Sequence, residues 1–137
     1  MNNKRPHVGV GVLIFKDGLL LLGKRKNSHG SDSWAPPGGH LEFGESFQDC
    51  AQREVLEEVG ITIKNIRFGT ISNDVFIAED KHYVTIFMIA EYAHGNVQLL
   101  EPDKCELWQW CNPTELPQPL FLPLQSVVRQ GGIMQLL

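Results

Sequence analysis

Three absences in this 137-residue chain narrow its chemistry before any motif is read. There is no long hydrophobic run. The longest apolar stretch, residues 84–90, is interrupted by Thr85 and is far shorter than the roughly 20 residues that cross a bilayer, so no membrane partner is expected. The opening MNNKRPH runs into strand-like sequence with no signal-type apolar region, which makes a cytoplasmic location the expectation. There is no basic surplus. Twelve Lys and Arg against sixteen Asp and Glu give a formal charge of −4, which argues against stable nucleic-acid binding. There is no paired cysteine pattern either. Cys50, Cys105 and Cys111 are odd in number and lack C-x-x-C spacing, as expected of reduced thiols packing as small apolar groups. With no repeat, linker or low-complexity tract, residues 1–137 are expected to form one domain.

What is present is concentrated in residues 39–61, GHLEFGESFQDCAQREVLEEVGI. Five residues separate Gly39 from Glu45, and seven separate Glu45 from Arg53-Glu54. Val55 follows, then Glu57-Glu58, Gly60 and Ile61. At average residue usage a chance match to such a pattern is on the order of one in a billion per window. Ser46 with Asp49 three residues later reads as a capping-box-like helix start, and Gly60 as the left-handed residue that ends the helix. Between them Glu54, Glu57 and Glu58 stand three and four residues apart, so their carboxylates crowd one side. Like charges so placed cost a few tenths of a kcal/mol per pair. A solvated acidic face is the bland reading. Against it stand the flanking glycine, Glu45 and Arg53, which favour a cation held by oxygen ligands, Mg²⁺ or Mn²⁺ rather than zinc.

Elsewhere the pattern is mostly strand. Val8, Val10, Val12 and Ile14 alternate along a first strand, Lys16-Asp17-Gly18 turns, and residues 19–22 return. A polar loop occupies 27–33, and the prolines of 34–39 keep that segment extended. Residues 62–72 alternate weakly, 73–81 read as a strand end with an acidic hairpin, and 83–92 are the strongest strand. His94-Gly95-Asn96 turns, and 107–111 form a short strand. Asn112-Pro113 reads as a helix cap with Pro at the first helical position. A helix over 119–130 places Leu120, Leu124, Val127 and Val128 on one side. Trp34, Trp108 and Trp110 read as core.

The 39–61 window resembles the Nudix box at every defining position. The resemblance implies an α/β fold, an α/β/α sandwich with a mixed sheet and a loop–helix–loop catalytic motif. It implies a hydrolase that cleaves a nucleoside diphosphate linked to another moiety, with divalent metal on the phosphates. Carried over by position, Glu54, Glu57, Glu58 and the carbonyl of Gly39 would be metal ligands. Arg53 would orient Glu45 or its neighbours, and Glu57 or Glu58 would deprotonate the attacking water. A further ligand from a later loop would be Glu101, with Asp103 and Glu106 as alternatives; a solvated loop acid is the competing reading of each.

The segments GVGVLIF, LLGKRK, PPGGHLEFGE and HYVTIFM, Trp108-x-Trp110 and Glu115-Leu116-Pro117 are similar to the MutT-like branch that converts (deoxy)nucleoside triphosphates to monophosphate and pyrophosphate. They are also similar to a human member acting on dGTP and thio-guanine nucleotides. On that branch His40, Arg25, Thr85 and Gly38 would fall near the substrate and Phe121 near the base. The alternatives are a turn residue for His40, a solvated charge for Arg25, and packing for Thr85 and Phe121. Leu122-Pro123-Leu124 follows Phe121 where the human member has a tryptophan and a glycine, which leaves guanine preference open. Other substrates on the same core are a nucleotide sugar, ADP-ribose, a dinucleoside polyphosphate or a pterin triphosphate. A non-catalytic nucleotide sensor is disfavoured by the intact carboxylate set. A homodimer is the usual family assembly.

Overall fold

The computed structural model describes residues 4–27 and 29–136. Residues 1–3, residue 28 of the 27–33 loop and residue 137 lie outside them. The chain opens with a hairpin, β1 (His7–Lys16) and β2 (Leu19–Arg25), turned by Asp17 and Gly18, both at positive φ. The two strands pair only next to the turn, Phe15 with Leu20 and Lys16 with Leu19. Beyond that they splay, and the proline-stiffened segment enters the gap. Its first part, β3 (Trp34–Ala35), pairs with β2, and its second, β4 (Gly38–His40), pairs with β1. Helix α1 (Phe47–Val59) follows, then a long antiparallel pair, β5 (Thr62–Phe76) and β6 (Lys81–His94). β6 returns parallel to β1 with His7 beside Tyr83 and Gly9 beside Thr85. β7 (Cys105–Cys111) closes the far side against β2, and α2 (Leu122–Arg129) precedes a short 3-10 turn at Ile133–Leu136. The sheet is therefore mixed, with seven strands among the described residues.

Alternation along β1 and β6 sends successive side chains to opposite faces, and each face is covered by one helix. Val10, Val12, Ile86 and Met88 pack under α1 through its Cys50, Ala51, Val55 and Val59. Leu13, Phe87 and Ile89 pack under α2 through Leu124 and Val127. The expected α/β/α sandwich is thus present. Among the described residues no helix is long and apolar enough to cross a membrane.

Two expectations need correction. Asn112-Pro113 starts no helix: the Asn112 side chain accepts from the amide of Thr114 at 2.9 Å, closing a turn that Pro117 and Pro119 cannot extend. The last helix begins at Leu122, not 119, with Pro123 in its first turn; Leu120 is buried ahead of it and Val128 faces outward. The tryptophans are half-buried, at the rims of the two cores.

The β1–β4 contact demands glycine at 38. A Cβ there would stand 2.1 Å from the carbonyl oxygen of Val10 and 3.0 Å from Cα of Gly11, both backbone. Gly18 has positive φ but open space around it. In urea titrations Gly38→Ala should lose about 2–3 kcal/mol through overpacking, and Gly18→Ala about 1 kcal/mol through backbone strain. Equal losses would contradict the close approach.

Candidate active site

The residues of the 39–61 window meet because both ends of α1 are fixed. Ser46, in extended backbone, accepts from the amide of Asp49 at 3.0 Å, and Gly60 at φ 76° returns its amide to the carbonyls of Val55 and Leu56. With Cys50, Ala51, Val55 and Val59 turned into the core, positions 53, 54, 57 and 58 fall on the flank beside β4.

Arg53 organises that flank. Its Nε and one terminal nitrogen donate to the two oxygens of Glu45 at 2.8 and 3.0 Å, a bidentate fork. The same guanidinium donates to Glu54 at 2.8 Å, to the carbonyl of His40 at 3.1 Å and to Glu57 at 3.5 Å. Glu45 also accepts from the amide of Glu42 at 3.1 Å. The hydrogen bonds from Arg53 hold the Glu45 carboxyl down at about 2, and the guanidinium is in turn held charged. The Cys50 thiol, beside the His40 carbonyl and buried, is pushed up to about 12.

Glu58 is in a different state. Its carboxyl accepts the Gly38 amide at 3.1 Å, which favours the charged form, but burial outweighs that. The nearby carboxyls of Glu54 and Glu101 push the same way, and Glu54 shares a hydrogen bond with it; the result is a Glu58 carboxyl raised to about 9. Glu54 also lies against Gly39, where a Cβ would come within 2.3 Å of its carboxyl carbon. A side chain at 39 would push the Glu54 carboxyl aside.

As the side chains stand, no three His, Cys, Asp or Glu among the described residues form a group able to hold a metal ion. Arg53 engages Glu54 and Glu57. The chemistry of the donors still suits a hard cation: two carboxyls in hydrogen-bonding contact must share a proton or a metal, and the groups that α1 presents with them are carboxylates.

Of the residues expected from sequence, Gly38, Gly39, His40, Glu54, Glu57, Glu58, Arg25, Thr85, Phe121 and Glu101 all line one cleft of about 720 Å³. Asp103 lines it too. Glu45 does not, and acts on Arg53 instead. Glu106 is outside the lining, 3.7 Å from Lys24. Glu101 has Lys104 at 3.8 Å. Beside these residues is a ring cluster that the sequence reading missed. Tyr83 and His29 stack at 5.8 Å, and Phe76 meets Tyr83, His29 and Phe121 at 5.9, 4.9 and 5.6 Å. The Arg25 guanidinium lies 4.0 Å over the Phe121 ring and donates to the His29 carbonyl. The His40 ring is 3.1 Å from the Tyr83 hydroxyl, joining this cluster to the carboxylates. Tyr83 was within reach of sequence reasoning, two residues from Thr85 on one strand face.

A model of the family described as NUDIX domain matches residues 5–131. The MutT NUDIX hydrolase of Burkholderia pseudomallei superposes with a TM-score of 0.85 at 29% identity, covering 95% of this chain and 99% of that one. The NAD-capped RNA hydrolase NudC of Vibrio atlanticus is 32% identical over 121 residues, 87% of this chain and 41% of its own length. An oxidized purine nucleoside triphosphate hydrolase of Danio rerio is 38% identical over 69 residues, 50% of this chain and 44% of its own. The chain thus spans less than half the length of these two curated relatives.

The raised Glu58 carboxyl has a consequence for stability. Its proton is bound more tightly folded than unfolded, so its contribution is full below the ordinary carboxyl value near 4.5 and is lost as pH rises through about 9. In chelator-treated protein, denaturation free energy should fall between pH 5.5 and 8.5, and Glu58→Gln should flatten that fall. Parallel slopes for the two proteins would refute the assignment.

Proposed function

This chain belongs to the NUDIX family; on that premise we propose that it is a pyrophosphohydrolase whose substrates are (deoxy)nucleoside triphosphates, modified ones included, cleaved to nucleoside monophosphate and pyrophosphate in the cytoplasm. The observation that carries the reading is the mixed lining of the cleft. Carboxylates line it around Gly39 and α1, rings line it around Phe121, and Arg25 links the two, over the Phe121 ring and within electrostatic reach of Glu58. Its volume falls within the range of ordinary small-molecule sites. A base stacked on Phe121, Tyr83 or His29 directs its phosphate chain past His40 and Thr85 to the carboxylates.

Family members generally use a divalent metal, and Mg²⁺, with Mn²⁺ as substitute, suits the oxygen donors here. The Gly39 carbonyl, Glu54, Glu57 and Glu58 would hold it, with Glu101 added from the loop before β7. When bound, the ion would neutralise phosphate charge and acidify water. The protein's own groups do the rest. Water adds to a phosphorus of the chain, its proton passes to Glu57, or to Glu58 where that carboxyl is ionised, and the phosphorus–oxygen bond to the departing pyrophosphate breaks. Arg53, held by Glu45, keeps Glu54 and Glu57 on the cleft side of α1. Buried free thiols at Cys50, Cys105 and Cys111 suit a reducing compartment.

A second reading keeps these carboxylates and changes the group beyond the diphosphate. The likeness to NudC favours a dinucleotide end such as NAD, while the net charge of −4 disfavours a long RNA body.

Release of pyrophosphate or phosphate from dGTP, oxidised dGTP, pyrimidine triphosphates, ADP-ribose and NAD separates these readings. The triphosphates should turn over fastest with Mg²⁺, and a preference for NAD or ADP-ribose would move the assignment to the second. Glu57→Gln and Glu58→Gln should each lower kcat by about 10²–10⁴-fold; full activity in both would remove them from the chemistry. His40→Ala should reorder the bases more than it alters metal dependence. An unchanged ranking would make His40 a turn residue only.

A further inference from the structure

Asp74 is a buried carboxyl that the hydrolytic chemistry does not use. It lies on β5, 5% exposed, directly across from Tyr83, and is followed on the same face by Phe76. One oxygen accepts a hydrogen bond from the Ser126 hydroxyl of α2, 52 residues away, and the other has no partner. Ser72, its neighbour on that face and across from Thr85, is 1% exposed with its hydroxyl likewise unpartnered. Replacing such a half-satisfied group by an apolar one is often neutral or stabilising, so stability is a poor account of it.

What the contact joins suggests another role. α2 has eight residues and no side-chain cap, and a helix that short has little stability of its own. Its leading end is tied to β3: Trp34 donates to the Pro119 carbonyl and Phe121 donates to the Trp34 carbonyl, both at 2.9 Å. Its body is tied to β5 through Ser126 and Asp74. Between the two ties lie Phe121, Pro123 and Leu124, which form a wall of the cleft. Burial of Leu124 and Val127 presses the helix onto the sheet, but apolar contact is non-directional and leaves rotation and sliding open. A directed hydrogen bond from a rigid strand removes that freedom.

We propose that Asp74 is a positioning residue: by accepting from Ser126 it clamps α2 to β5 and so sets where Phe121 and Leu124 stand in the cleft. The effect on catalysis rests on the reading of that cleft as the nucleotide site; the clamp itself does not. Hydrogen exchange on the intact protein without nucleotide tests the clamp. Amides of 125–129 should exchange about 10-fold faster in Asp74→Ala and Ser126→Ala, as expected for loss of one hydrogen bond. Unchanged exchange in both would overturn the clamp, whatever the substrate. With the best triphosphate of the panel, both variants should raise KM about 5–10-fold and leave kcat within about twofold, the mark of lost binding alone. Asp74→Asn, whose amide oxygen still accepts, should restore most of that KM, and the double Ala variant should be no worse than the worse single one. A fall in kcat at constant KM, or additive losses in the double variant, would overturn the positioning role. Should Asp74→Ala fail to fold, Ser126→Ala carries both measurements.

Discussion

The guanidinium of Arg53 is the joint on which the acidic end of this molecule depends. Three pieces of chain meet at it: the loop bearing Glu45, the end of β4 through the His40 carbonyl, and α1 itself through Glu54 and Glu57. Without a cation there, carboxyls one helical turn apart repel one another, and the strand that brings Gly39 against Glu54 has no fixed angle to the helix. A planar fork with five donors can satisfy several acceptors in fixed directions, which a lysine ammonium cannot. The charge state of Glu45 follows from this joint, while that of Glu58 follows from burial beyond its reach. Two carboxyls of one motif thus differ by several pH units for structural reasons.

Topology supplies the other half of the site. The β1–β2 hairpin pairs only at its tip, so the segment carrying Gly38 and Gly39 can wedge between the strands and present its backbone to α1. The parallel return of β6 beside β1 then brings Thr85 and Tyr83 next to Gly9 and His7. One face of the sheet, under α1, serves charge; the other, under α2, supplies rings. The cleft runs where the two meet.

Legibility in the sequence followed the range of the interactions. Helix α1 was readable to its caps, because Ser46, Asp49 and Gly60 act on neighbours within five residues. Alternation located β1, the Lys16-Asp17-Gly18 turn signal located β2, and β-branched and aromatic content located β6; the wedge was readable as extended from its prolines. The false helix at Asn112 came from a local signal that is common to caps and Asx turns, and only Pro117 and Pro119 decide between them. The ring cluster was hidden because His29, Phe76, Tyr83 and Phe121 lie on a loop, two strands and a helix cap, far apart in sequence. Asp74 was hidden for another reason. In a segment reading Ser-Asn-Asp-Val it looks like a solvated strand end, and its burial appears only once α2 is laid over β5. Glu106 was placed with Glu101 by proximity along the chain, but β7 carries it to Lys24 instead.

The two glycines of β1 under the ring cluster differ in how much room they leave. A carbon added at Gly9 would rest 3.7 Å from the Thr85 hydroxyl, at ordinary contact distance, whereas one at Gly11 would come within 2.9 Å of the Phe87 ring. The depth of the chamber can therefore be trimmed by a single methyl at one of these positions and not at the other. Variation among natural alleles, or a designer's wish to exclude bulkier guests, has a ready dial at residue 9, while residue 11 is locked by the phenylalanine beside it.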